Sequence, residues 1–395
     1  MQKSLLAVAV GSALAAISAS PVLAQNATVN VYGAVYGEYS SIRNGAKSAT
    51  EPFQRYDHFQ APGSEIGFRG EEKLGSGLSA WFQCASSMDY RGPGSASATN
   101  AQTGNSLCSR NSALGLKGGF GNVFYGNWQT PYARISSAGN VGSNDTGVFG
   151  NAHIMTGTST TAGISSASGT TNSLNVGVFR RRQNSLFTYE TPNLSGFTGM
   201  GSVTTRNYAS AATDAQLKTR LWSLGAQYNN GPVFVGLAYE KHSDFYAFGG
   251  DEHAWLLAGS YTFANKLKLG GSYNDIKSQV AVGSDVKVKT WHIGIDWMFS
   301  GPHGVRAGYS RAGDTKGLAG AIMPTRPAVN LAGGTSADIW QIRYVYQMSK
   351  RTEFNIGYSN TNNRNNATYE TGGTTSTQFA GADSNAIAAS LRHSF

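Results

Sequence analysis

The chain has 395 residues, a formal net charge of +9 and only 13% charged residues, with 50 Gly, 19 Tyr, 18 Phe and 2 Cys. Mean hydropathy is −0.28. Past the first two dozen residues no apolar run approaches the roughly 20 residues that a spanning helix needs, which excludes a helical membrane protein. Apart from one triplet at 180–182 the cations are scattered rather than gathered in a long basic run, which argues against a nucleic-acid surface.

The N-terminus reads as an export signal. Met1-Gln2-Lys3 is a short positive start, residues 5–17 are apolar or small, and Val22-Leu23-Ala24 puts small residues where a signal peptidase reads. The pattern predicts a signal peptide over 1–24, with cleavage after Ala24 and a mature part over 25–395. Losing Lys3 leaves about +8.

From there the period is two. Alternating segments run over 29–39, 65–74, 78–85, 112–117, 122–128, 185–191, 197–205 and 220–228. They continue over 233–241, 253–263, 267–276, 286–298, 305–314, 339–348, 354–360 and 386–395. In Trp291-His292-Ile293-Gly294-Ile295-Asp296-Trp297 the bulky apolar residues fall on one parity and the polar and small ones on the other. Such alternation puts one set on each face of a strand.

The connections decide what these strands build. Gly75-Ser76-Gly77, Asn193-Leu194-Ser195-Gly196, Asn229-Asn230-Gly231-Pro232 and Gly301-Pro302-His303-Gly304 have turn chemistry. Between such turns lie long polar stretches, among them 42–63, 88–109, 316–337 and 361–385. Short turns at one end, long loops at the other and an even strand number predict an all-β, 16-stranded antiparallel transmembrane β-barrel. The third long connection, 129–183, has no strand pattern, and connections of that length are usually functional. A barrel this wide would otherwise enclose a large aqueous hole, so this loop is expected to fold into the lumen.

The segment Ser64-Glu65-Ile66-Gly67-Phe68-Arg69-Gly70-Glu71-Glu72-Lys73-Leu74-Gly75-Ser76-Gly77-Leu78 resembles the second hairpin of Gram-negative general porins of the β-proteobacterial type. Val31-Tyr32-Gly33, Gly115-Leu116-Lys117-Gly118 and the terminal Leu391-Arg392-His393-Ser394-Phe395 are similar to other parts of that family. The resemblance implies a homotrimer in the cell outer membrane, in contact with membrane lipid and lipopolysaccharide. It implies passive diffusion of small hydrophilic solutes and ions, with no enzyme activity and no cofactor. Leu391, His393 and Phe395 share the lipid-facing parity, and the resemblance implies that the barrel-assembly machinery reads them.

One departure from the family matters. Its third loop typically carries several acids. Here 129–183 holds only Asp145, against Arg134 and the run Arg180-Arg181-Arg182. By parity Arg69, Arg306, Arg343, Arg392 and Lys268 point inward. Arg69, Asp145, Arg180, Arg181, Arg182, Arg306, Arg343 and Arg392 are therefore the candidate pore-lining residues, and their balance predicts anion preference. A bland reading, solvated wall residues with no selective role, is the alternative for each singly.

The two cysteines, Cys84 and Cys108, bracket the second long loop on neighbouring antiparallel strands, and the periplasm is oxidising, so a disulfide is expected. Gly75-Ser76-Gly77-Leu78-Ser79-Ala80 matches a dinucleotide fingerprint only by pattern, since a strand rather than a helix follows. The seven His have no metal spacing. A solute-specific channel would need inward aromatics in a continuous track. Aromatics here mostly take the outward parity, which favours a general pore.

Overall fold

The computed structural model describes residues 28–45, 54–90, 107–155, 179–205, 219–244, 250–281, 284–317, 333–371 and 380–395. The predicted signal peptide lies outside them. The first nine strands are β1 (Thr28–Asn44), β2 (Gln54–Gln60), β3 (Glu65–Gly75), β4 (Leu78–Ser87), β5 (Ser112–Gly118), β6 (Gly121–Gln129), β7 (Arg182–Glu190), β8 (Phe197–Thr204) and β9 (Arg220–Asn230). The others are β10 (Val233–Ser243), β11 (Glu252–Thr262), β12 (Leu267–Ala281), β13 (Ser284–Ser300), β14 (His303–Ala312), β15 (Lys316–Gly317), β16 (Ala337–Gln347), β17 (Thr352–Asn363) and β18 (Ser384–Ser394). Two short helices, α1 (Pro131–Gly139) and α2 (Ala152–Met155), lie in the third long connection.

These eighteen segments make sixteen staves. β1 pairs with β3 through its first half and with β2 through its second, so β2 and β3 are one stave interrupted over 61–64. β13 pairs with both β14 and β15, which form another. Every pairing is antiparallel between chain neighbours, and β18 closes on β1, with Phe395 and Gly33 exchanging backbone hydrogen bonds of 3.0 and 3.1 Å. A closed barrel leaves no unpaired edge, which hydrocarbon requires.

The turns explain the register. Ser76 and Gly77 between β3 and β4 adopt φ of 49° and 76°, the left-handed backbone of a two-residue hairpin. Outward positions carry the exposed apolar band, as in Leu114, Leu116, Leu224, Leu237, Leu257, Ile293, Ile342 and Ile387.

The expected strand ends need correction. Strands run further at the long-loop end than the apolar pattern does: β1 reaches Asn44, β17 reaches Asn363, and the stretch 42–63 contains β2. β12 and β13 likewise run past the apolar pattern, paired as far as Ala281 and Ser284. Beyond the bilayer both faces meet water, so the ladder continues without the hydrophobic alternation that marks it in sequence. The third connection, read as lacking a strand pattern, holds no strand between β6 and β7 among the described residues and instead contains α1 and α2.

Candidate functional site

The third connection is seated on the inward face by chemistry from both sides. Thr130 caps α1, its hydroxyl accepting from the Ala133 amide at 3.2 Å, and Pro131 opens the helix. Tyr132 and Ile135 then pack with Phe179 against Phe234, Ala238, Leu256, Ala258 and Ile276 of the wall. The Tyr132 hydroxyl donates to Asn274 at 2.7 Å. Further along, Gly270, Gly294 and Gly308 of β12, β13 and β14 stand in one register row. Cβ atoms there would collide with Val141 or Ser143, so three missing side chains make a groove for the loop backbone.

Polar clamps fix the rest. The His292 imidazole donates to the Val141 carbonyl at 2.8 Å and Gln341 donates to that of Gly142 at 2.8 Å. Buried Glu38 accepts from the Val148 amide at 2.7 Å and from Gln60 at 2.6 Å. Thr290 donates to the Met155 carbonyl at 2.7 Å. A buried carboxylate persists only when its lone pairs are used this way.

Between this loop and the wall lies a cavity of about 540 Å³. Asp145, Arg180, Arg181, Arg182, Arg306, Arg343 and Arg392 all line it, and so does Arg110. Seven arginines and two carboxylates, Asp145 and Glu353, give that lining a formal charge of +5. Arg180 pairs with Asp145, and Arg306 binds Glu353 through two bonds of 2.7 and 3.0 Å. Arg343, 3% exposed, lies over the Phe149 ring at 5.0 Å and donates to Asn144 at 2.9 Å, holding the loop as well as facing the cavity. Arg182 donates to Asn111 at 2.8 Å. Arg392 is exposed and has no ion pair among the described residues.

Arg181 is buried rather than set at the rim, and burial pushes its guanidinium below the usual range against the attraction of Glu240 and Glu252. His153 on α2 is likewise buried, which pushes it down to about 4 and keeps it neutral at pH 7. Three like charges in sequence are thus tolerated by separation: Arg180 turns to Asp145, Arg181 to the wall acids and Arg182 to Asn111.

Arg69 is not part of this cavity. It lines a second one, of about 370 Å³, with Asn30, Glu71, Trp81, Gln83 and Lys117. Lys268 faces inward opposite Asp296, in the same register row as Arg306. Tyr32, Trp81 and Trp128 are inward, not on the lipid face: Tyr32 lies beneath Arg69, and Trp81 and Trp128 meet Phe124 inside the wall.

Cys84 and Cys108 are bonded, their Cα atoms 4.6 Å apart. Leu391 and Phe395 are exposed on the outward parity, and His393 accompanies them, its imidazole 2.9 Å from the Thr352 hydroxyl.

Sequence reasoning missed Glu38, Arg110, His292 and the glycine row. A signal was available. In Ala254-Trp255-Leu256-Leu257-Ala258 both parities are apolar, which marks a wall segment covered on its inner side.

Residues 7–366 match the family described as Gram-negative porin. The major outer membrane protein P.IB of Neisseria gonorrhoeae is 26% identical over 245 residues, 60% of this chain and 56% of that protein. The chain therefore matches little more than half the length of that relative. Outer membrane porin protein 32 of Delftia acidovorans is 27% identical over 316 residues, 78% of this chain and 80% of that protein. The anion-selective porin from Comamonas acidovorans superposes with a TM-score of 0.71 at 21% identity, covering 94% of this chain and 100% of the other.

Proposed function

The chain belongs to the Gram-negative porin family, and from that premise we propose that it forms a water-filled channel for passive diffusion of small hydrophilic solutes, with preference for anions. The net +5 lining of the cavity between third loop and wall carries this reading. Fixed positive charge in a narrow aqueous passage favours anions by replacing part of their lost hydration. The relative from Comamonas, described as anion-selective, has the same fold. The third loop would set the narrowest section. Single-channel conductance of the purified protein in a planar bilayer tests the reading. Discrete ohmic steps in KCl support it, and their absence in correctly folded protein would end it.

The outer surface supports two partners. Outward Trp or Tyr occurs on eight consecutive staves, as Trp222, Tyr239, Trp255, Tyr273, Trp291, Tyr309, Trp340 and Tyr358. This is an interfacial girdle facing lipid. Beyond it Lys277, Lys287 and Lys316 stand in one register row, suited to the phosphates of lipopolysaccharide. On β18, β1, β3, β4 and β5 the outward set is instead Ile387, Leu391, Val29, Val31, Phe68, Phe82, Leu114 and Leu116, with Tyr39 the exception among the described residues. That arc would meet the other copies of a homotrimer. Residues 1–24 would be removed on export, and Leu391, His393 and Phe395 would present the strand read by the barrel-assembly machinery. Deleting Phe395 should lower the amount of folded trimer in membrane fractions.

A further inference from the structure

Three inward aromatics, Trp81, Phe124 and Trp128, cluster on the inner wall outside the apolar seat of the third loop. Trp81 shares a rung with Glu71 on one side and Gly115 on the other, and Phe124 faces the same Gly115. Their sequence neighbours Phe82 and Tyr125 are the exposed, outward ones. A Cβ on Gly115 would stand 2.6 Å from Trp81 Nε1 and 2.7 Å from Phe124 Cβ. Glycine at 115 therefore leaves the room the indole occupies over β5. Its N–H donates to Asn122 Oδ1 at 2.8 Å, and Phe124 and Trp128 meet it edge-on with centroids 5.4 and 5.8 Å away. The ring packs over Gly115 and against two neighbouring rings, is only partly buried, and bounds the 370 Å³ cavity.

The charged groups around it are unequal. Lys117 and Glu71 neutralise each other at 2.5 Å. Arg69 is exposed, lies over Tyr32 at 5.0 Å and has no ion pair among the described residues. Asn30 and Gln83 add neutral hydrogen-bonding groups. Arg69 faces Gln83 while Trp81 is two residues further along β4, so the pair is diagonal across the ladder. Diagonal positions are about 7–8 Å apart, within reach of long side chains, and a ring with a carboxylate attached bridges them.

We propose that this cavity is a binding site for aromatic monocarboxylates, the ring stacked on Trp81 and the carboxylate held by Arg69, separate from the arginine-lined constriction. The inference rests on the channel reading above. An apolar face with a few convergent polar groups is the ordinary composition of a small-molecule site. A π-face adds specificity that a saturated ring of equal charge does not match.

The test uses the full mature protein in planar bilayers, with benzoate, cyclohexanecarboxylate or acetate added to both sides of a KCl solution. Benzoate should halve the current at a concentration about fivefold below that of cyclohexanecarboxylate. Trp81→Ala should erase that difference while leaving KCl conductance in place, and Arg69→Gln should raise the half-blocking concentration of both rings. Equal block by the two rings in the unmodified protein overturns the site, as does a benzoate advantage that survives Trp81→Ala. If Trp81→Ala does not assemble, the comparison in unmodified protein still decides. Failure of the channel reading is distinct, since it appears as no KCl conductance at all.

Discussion

Replacing Arg182 and Arg392 by Gln should weaken anion preference without moving the third loop. Neither holds the loop: Arg182 bonds to Asn111 and Arg392 has no ion pair among the described residues. Both line the 540 Å³ cavity. A sphere of that volume has a radius of about 5 Å, so the charged atoms sit about 8 Å from a central ion, where one charge is worth about 0.5 kcal/mol at a water-like dielectric. Screening reduces this to about 0.2 kcal/mol at 0.15 M salt and to about 0.4 kcal/mol at 0.01 M. Losing a positive charge destabilises the anion and favours the cation by equal amounts. The anion-to-cation permeability ratio should therefore fall about fourfold at 0.15 M and about fifteenfold at 0.01 M for the double variant. The measurement is the zero-current potential across a KCl gradient at two mean concentrations. Cation preference in the unmodified protein would refute the reasoning. So would a double variant whose ratio is unchanged in dilute salt.

Gly294→Ala should lift the Val141 segment off its groove, because the new methyl group meets the Val141 carbonyl that His292 now holds. Higher and noisier single-channel conductance is the expected record, and unaltered traces would mean the glycine row does not seat the loop. Replacing Cys84 and Cys108 by Ser should lower stability by about 3 kcal/mol, from the chain entropy of a closed loop of this size; denaturant midpoints of both forms check this. His153 gives a pH dependence. Its value is about 4 when α2 is docked and 6.5 when exposed, so the undocked form binds more protons between these limits. Docking is then fully favourable above pH 6.5 and weakens as pH falls to about 4, by roughly 3 kcal/mol in all. Open-channel noise should rise over that window in the unmodified protein and not in His153→Gln.

What could be read directly from the chain was local. A strand's facing is set by period two, and a tight turn by residues such as Ser76-Gly77 whose backbone must go left-handed. Both are properties of a few consecutive residues, so the sixteen staves, their order and the inward parity of Arg306, Arg343 and Arg392 were legible. Which charges share a space was not. Arg69 and Arg392 have the same parity, yet they line different cavities, because height in a tilted barrel depends on the shear of the closed sheet. The third loop's course was equally hidden. It depends on Gly270, Gly294 and Gly308 aligning across three strands and on Glu38 meeting an amide 110 residues away. Such contacts carry no periodic trace in the sequence. They exist only once closure of the barrel brings distant inner faces around one lumen, and that closure decides which arginines meet there and which tryptophans face inward.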